Sequence, residues 1–179
     1  MNKQEFLSEQ SIAVLRSLVG KTIHTIWSPD LHAAGAHLAA WTLSMLLEKD
    51  SFINFSCEWS ETPKFLNDSW QITVTTGTDP LNIPKNDSGA YISPCNIHMY
   101  SSGPIRKIEI FEYSYKSTHE GIEEAVHYDQ ALLFHCEARS FCIACMLNGP
   151  GIATSMHFSE DASVVQEMIR ESTVRFTLQ

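Results

Sequence analysis

The chain reads as an α+β protein rich in β structure, and three observations predict this. Strict period-two alternation of apolar and polar residues recurs through much of the sequence. Turn-forming clusters separate the alternating runs. Helical periodicity is clearest in one segment near each end. The expected architecture is a mainly antiparallel, twisted sheet of about seven to nine strands, flanked by an N-terminal and a C-terminal helix. A length of 179 residues fits one domain, 1–179.

The N-terminal helix is expected over Gln4 to Val19, where Phe6, Leu7, Ile12, Leu15, Leu18 and Val19 share a face and Gly20 supplies a left-handed cap. Lys21 to Trp27 reads as a strand. Leu31 to Ala40 is open between helix and strand, because its alanines suit one and Gly35 opposes it. Trp41 to Leu47 and Ile53 to Trp59 alternate cleanly and form a hairpin with one apolar face. Trp70, Ile72 and Val74 continue the pattern. Residues 77–104 break it with four prolines and Asn86-Asp87-Ser88-Gly89, an irregular segment of the kind that acts as a lid or binding loop.

Ile105 to Lys116 is a strand with Ile108 and Ile110 on one face and Phe111, Tyr113 and Tyr115 on the other. The acidic stretch Ser117 to Tyr128 is read as a short helix weakened by Gly121. Ala131 to Cys136 and Phe141 to Leu147 are apolar on both faces and therefore central. Ile152 to Phe158 is the next strand. Ser159 is the expected cap of a helix whose buried stripe is Val164, Val165, Met168 and Ile169. Val174, Phe176 and Leu178 close the chain as a strand. Two hairpins echo each other, LSMLLEKDSF from Leu43 and LLFHCEARSF from Leu132, and suggest two related units of a strand followed by a hairpin.

The chemistry-bearing residues are scattered. FHCEARSFCIAC, Phe134 to Cys145, holds three of five cysteines. Positions three apart on a strand face opposite ways, so Cys142 and Cys145 do not share a metal ion, whereas Cys136 and Cys142 have the same parity. An odd cysteine count without a framework is read as free thiols in a reducing cytoplasm. Glu124-x-x-His127 occurs once, where a carboxylate-bridged centre needs it twice. His32 and His37 are five apart, a poor spacing for one helix face. No phosphate-cradling glycine loop or nucleophile elbow is present. No catalytic residue, metal or cofactor is expected.

Twelve basic against 21 acidic residues give a net charge of −9. That balance disfavours nucleic acid and favours a basic partner. The chain contains no run of about 18 apolar residues, so no membrane span is expected, and its first residues lack a signal peptide's apolar core. The segment FEYSYKSTHEGIEEAVHYD joins aromatic anchors to carboxylates, a composition common at interfaces. It supplies the candidate partner-binding residues: Phe111, Glu112, Tyr113, Tyr115, Glu120, Glu123, Glu124 and Asp129.

In acidity, size and this segment, the chain resembles bacterial toxin immunity proteins of the contact-dependent growth inhibition type. The resemblance implies a non-catalytic cytoplasmic protein that captures a basic, nuclease-type toxin domain and blocks its active site. The same residues are compatible with a homodimer face. The alternative reading is a small-molecule-binding or enzymatic β domain with 77–104 as its lid.

Overall fold

A computed structural model describes residues 2–48, 51–60, 69–92, 94–99, 102–119, 121–146 and 155–179. In chain order the elements are β1 (Asn2–Glu5), α1 (Glu9–Ser17), β2 (Thr25–Ser28), β3 (His32–Ala34), β4 (His37–Ala40), β5 (Thr42–Glu48), β6 (Ser51–Ser60), β7 (Ser69–Gly77), β8 (Cys95–His98), β9 (Ile105–His119), β10 (Ile122–Cys136), β11 (Ser140–Met146), β12 (Ser155–Ser159), α2 (Ala162–Ile169) and β13 (Ser172–Leu178). Two sheets form. One has the order β13-β9-β10-β11-β12-β4-β3, with β1 added parallel to β10; the other runs β7-β6-β5-β2-β8. Among the described strands every other pairing is antiparallel. No described helix is long and apolar enough to cross a membrane.

The main core lies between the sheets. Leu43, Met45 and Phe55 from the smaller sheet meet Ile108, Ile110, Leu132, Phe134 and Ile143 from the larger one, all fully buried. Phe55 and Phe134 touch edge to face across the interface at 6.2 Å between centroids. The two echoing hairpins therefore face one another, one in each sheet. A second cluster forms on the outer side of the larger sheet, where Val165, Met168 and Ile169 of α2 cover Phe111, Ala131, Leu133, Cys142 and Ala144.

Several local features explain the element boundaries. α1 begins at Glu9, with Ser8 as cap accepting from the Ser11 N–H, because residues 2–5 are used instead as β1 against β10. Gly20 has φ +85°, the left-handed conformation its position demands. The ambiguous stretch Leu31–Ala40 is the β3–β4 hairpin, turning at Gly35 with φ +69°. α2 is capped by Asp161 rather than Ser159: its carboxylate accepts from the Ser163 and Val164 N–H groups at 2.8 and 3.1 Å. Ser159 accepts from the Asp161 N–H one step earlier.

The expected helix over Ser117–Tyr128 is corrected. These residues end β9 and begin β10, turning at Gly121 with φ +79°. The reason is legible in burial: Glu124, Val126 and Tyr128 are buried at period two, and β9 supplies a partner for each. The segment 77–104 contains β8, and although most of its described residues are exposed, Pro80, Ile83 and Met99 are buried. Tyr91 places its ring against Trp27 and Phe52, and its hydroxyl donates to Asp79 at 2.7 Å.

Candidate functional site

The ribbon β9–β10 carries the candidate partner-binding residues, and the structure distributes them over different roles. Phe111 lies beneath α2 and is only 7% exposed. Tyr113 and Tyr115 pack instead against the main core, so the expected stripe of three aromatics is split between two faces. Tyr113 rests on Tyr128, whose phenol burial pushes well above its ordinary pKa. Glu112 lies 2.8 Å from His127 Nδ1. Glu124 is 4% exposed, whereas Glu123 faces solvent. Glu120 lies outside the described residues.

Asp129 is fully buried. Its carboxylate accepts from the Leu7 N–H at 2.7 Å and from Arg175 Nε and Nη2 at 2.7 and 2.6 Å. The Arg175 guanidinium sits 4.5 Å above the Phe6 ring. The bidentate bond to Asp129 raises the arginine's already high pKa. This constellation ties the β1–α1 junction, β10 and β13 together. Its charge is consumed inside the fold and is not offered to a partner.

What the ribbon does offer is backbone. β13 pairs with β9 only as far as Tyr113, opposite Ser172. From Ser114 to Thr118 no described strand occupies the outer edge of β9, and Ser114, Lys116 and Thr118 are exposed. Ile122, just past the turn, is 52% exposed. A groove of about 710 Å³ opens beside this end, lined by Asn2, Lys116, Ser117, Thr118, Glu123, Glu124 and Ala125. A smaller groove of about 460 Å³ lies where α2 meets Phe111 and Ser172.

Glu109, His135 and Ser140 meet in an arrangement that sequence spacing did not reveal, because each comes from a different strand. Ser140 Oγ is 3.2 Å from His135 Nδ1, and His135 Nε2 is 2.6 Å from Glu109 Oε2. Burial raises the Glu109 pKa, but Lys107 at 2.8 Å and His135 outweigh it and hold the carboxyl below its usual range. The residue types are those of a nucleophilic triad. Such a triad also needs a substrate cleft and donors for an oxyanion, and none of these residues lines either groove. The set is a cross-strand polar ladder.

The cysteine expectations are corrected in two respects. Cys57 and Cys145 form a disulfide with Cα atoms 6.5 Å apart, bridging β6 to β11 and hence one sheet to the other. Only Cys95, Cys136 and Cys142 remain as thiols. Cys136 packs against the main core and Cys142 under α2, so these two lie on opposite faces despite their matching parity. Burial pushes the Cys142 thiol up to about 12 and Cys136 up to about 11, which makes both poor nucleophiles. Cys142 and Cys145 do face opposite ways, as strand geometry requires. Among the described residues no group of three His, Cys, Asp or Glu is arranged to hold a metal ion.

Comparison with known proteins returned no match to a protein-family model, a curated protein or a solved structure.

Proposed function

We propose that the chain is a non-catalytic binding protein, and specifically an immunity protein that captures a basic, nuclease-type toxin domain and blocks its active site. The observation that carries this reading is the outer edge of β9 from Ser114 to Thr118, where no described strand continues beyond β13 and β10 is backed on its other side by β1. A strand of the partner pairs there, its backbone supplying affinity while side-chain pockets supply choice. The net charge of −9 steers a basic partner toward the chain. Contact is therefore centred on backbone and on exposed Glu123, since Glu112, Glu124 and Asp129 are half-buried or buried and Asp129 is fully engaged.

The test is co-purification with a basic toxin domain, followed by titration calorimetry at two salt concentrations. Salt is expected to weaken binding, and Glu123→Lys to weaken it by less than about tenfold, as befits a rim charge. Lys116→Pro and Ser117→Pro remove successive N–H groups, one of which points outward. One of the two is expected to weaken binding by more than tenfold in a protein that stays folded. Unchanged affinity in both overturns the edge placement, and absence of any complex overturns the reading. Light scattering of the free chain separates this from a homodimer using the same edge.

A cytoplasmic placement belongs to this reading and has its own test. Alkylation on lysis is expected to trap Cys57 and Cys145 as thiols if the chain resides in a reducing compartment; recovery of the disulfide from the native host instead assigns it to an oxidising one.

One observation favours the alternative, a ligand-binding domain with 77–104 as its lid. The segment lies over a polar layer in which Leu81 N–H donates to Ser44 and Asn54 donates to the Asp79 carbonyl, yet Asn54 Oδ1 and Trp27 Nε1 have no partner. The ligand class that would answer these polar atoms is a small polyhydroxyl compound. A screen of sugars by thermal shift decides it, with stabilisation lost in Asn54→Leu supporting this reading.

A further inference from the structure

The β3–β4 hairpin closes one end of the larger sheet and is held there by three residue pairs with β12: Leu38 with Phe158, Ala39 with His157 and Ala40 with Met156. Ala39 also stands opposite His32 on β3, so one cross-strand row runs from His32 through Ala39 and His157 to Ala144. His37 lies two residues along β4 and brings its ring to 4.6 Å from that of His157. His157 is 2% exposed, with Ser155 Oγ 3.0 Å from its Nε2. Two imidazoles thus meet at the seam of an edge hairpin.

Among the described residues the surroundings hold no counter-charge for either ring, and only the Met146 backbone favours a charge on His157. From β11 the row presents Ala144, with Met146 beside it. From β3 comes His32, a third titratable base, whose Nδ1 is 2.9 Å from the Asp30 carbonyl. The Asp30 carboxylate is engaged by the Ser28 hydroxyl and the Trp41 N–H. On α2, Glu167 and Arg170 pair with each other, and Glu160 beyond the end of β12 pairs with Arg139. Among the described residues no carboxylate contacts His37 or His157.

We propose that the β3–β4 hairpin is an acid-released flap, docked on β12 only while His37 and His157 are both neutral. Protonating either ring places a cation beside a buried base with no counter-charge, and protonating both sets two cations against each other. Swinging the hairpin away about Trp41 gives the rings to water. It also frees the edge of β12, which carries fully buried Met156 and 4% exposed Phe158, as a new apolar pairing edge. Burial first, then the His37 charge, depresses the His157 pKa to about 4, with the Met146 backbone opposing and His32 adding. Burial also lowers that of His37. Because the folded values are depressed, docking is favoured above the ordinary histidine pKa and weakens as pH falls below it. Restoring His157 from about 4 to its ordinary 6.5 makes opening about 30-fold more favourable at pH 5 than at pH 8.

Hydrogen exchange, corrected for intrinsic rates, tests this on the intact chain. Peptides spanning 37–40 and 155–158 are expected to lose protection by about 30-fold between pH 8 and pH 5, while Phe141–Cys145 keeps its protection. His157→Gln is expected to remove most of the loss, leaving the smaller part carried by His37. His37→Gln, at a half-buried position that tolerates an amide, is expected to reduce it. An equal loss in β11 marks global acid unfolding and overturns the proposal. So does a loss that persists undiminished in His37→Gln, or no loss at all.

Discussion

The Asp129 carboxylate sits in a site with no exposed surface, and three donors fill its oxygens. Arg175→Met removes two of them and strands a buried carboxylate. We expect a loss of about 3–5 kcal/mol in denaturant unfolding, the range for breaking a buried pair. By contrast, Arg106→Ala breaks an ion pair whose partners are 61% and 59% exposed, and it should cost under about 1 kcal/mol. Gly103 is a second sensitive position. Its φ is +70°, and an added Cβ would meet Glu137 Cβ at 2.9 Å. Gly103→Ala should therefore cost about 1–3 kcal/mol by thermal melting, more than conformational freedom alone explains. Asp129 was singled out from sequence only as a partner-binding candidate, and neither Arg175 nor Gly103 was singled out at all. Arg175 and Asp129 are 46 positions apart, and the Gly103 contact depends on a turn formed 34 residues later.

At the scale of elements, edges are handled unequally. β7 is covered by α1, where the Ser11 hydroxyl bonds both the N–H and the C=O of Val74. β3 and β8 are short, at 3 and 4 residues. The tail of β9 and the seven-residue β13 have neither protection among the described residues, and on the function proposed above the tail of β9 is the edge that receives a partner. The link between the sheets is covalent as well as apolar. The disulfide joins residues separated by 88 positions, and closing so long a loop stabilises by about 4–5 kcal/mol in the chain-entropy account. Cys57→Ser with Cys145→Ser should lower the denaturant midpoint accordingly, and adding reductant to the variant should change nothing further. The hairpin β5–β6 was readable from its period-two pattern, and β10–β11 from two strands apolar on both faces around a charged turn. The start of β10 was not, because Glu120, Glu123 and Glu124 masked the alternation of Val126 and Tyr128, and Gly121 suggested a flawed helix where it makes a turn.

For the whole molecule, the balance of strands and terminal helices was legible, but the division into two facing sheets was not. Sheet membership depends on pairings such as β1 with β10 and β13 with β9, which no local pattern encodes. The same holds for the sites. Ser140 and His135 are close in sequence, yet Glu109 joins them only through β9; His157 meets His37 across 120 positions. The acidic segment was visible as composition, while most of its described carboxylates are turned to structural use and no described strand follows β13 along the tail of β9. The central claim is that this edge receives a partner strand. Hydrogen exchange of the chain with and without a bound basic toxin domain tests it most directly. The account predicts new protection at amides between Ser114 and Thr118, with β3, β8 and α1 unchanged; a complex that protects other surfaces and leaves these amides exchanging freely contradicts it.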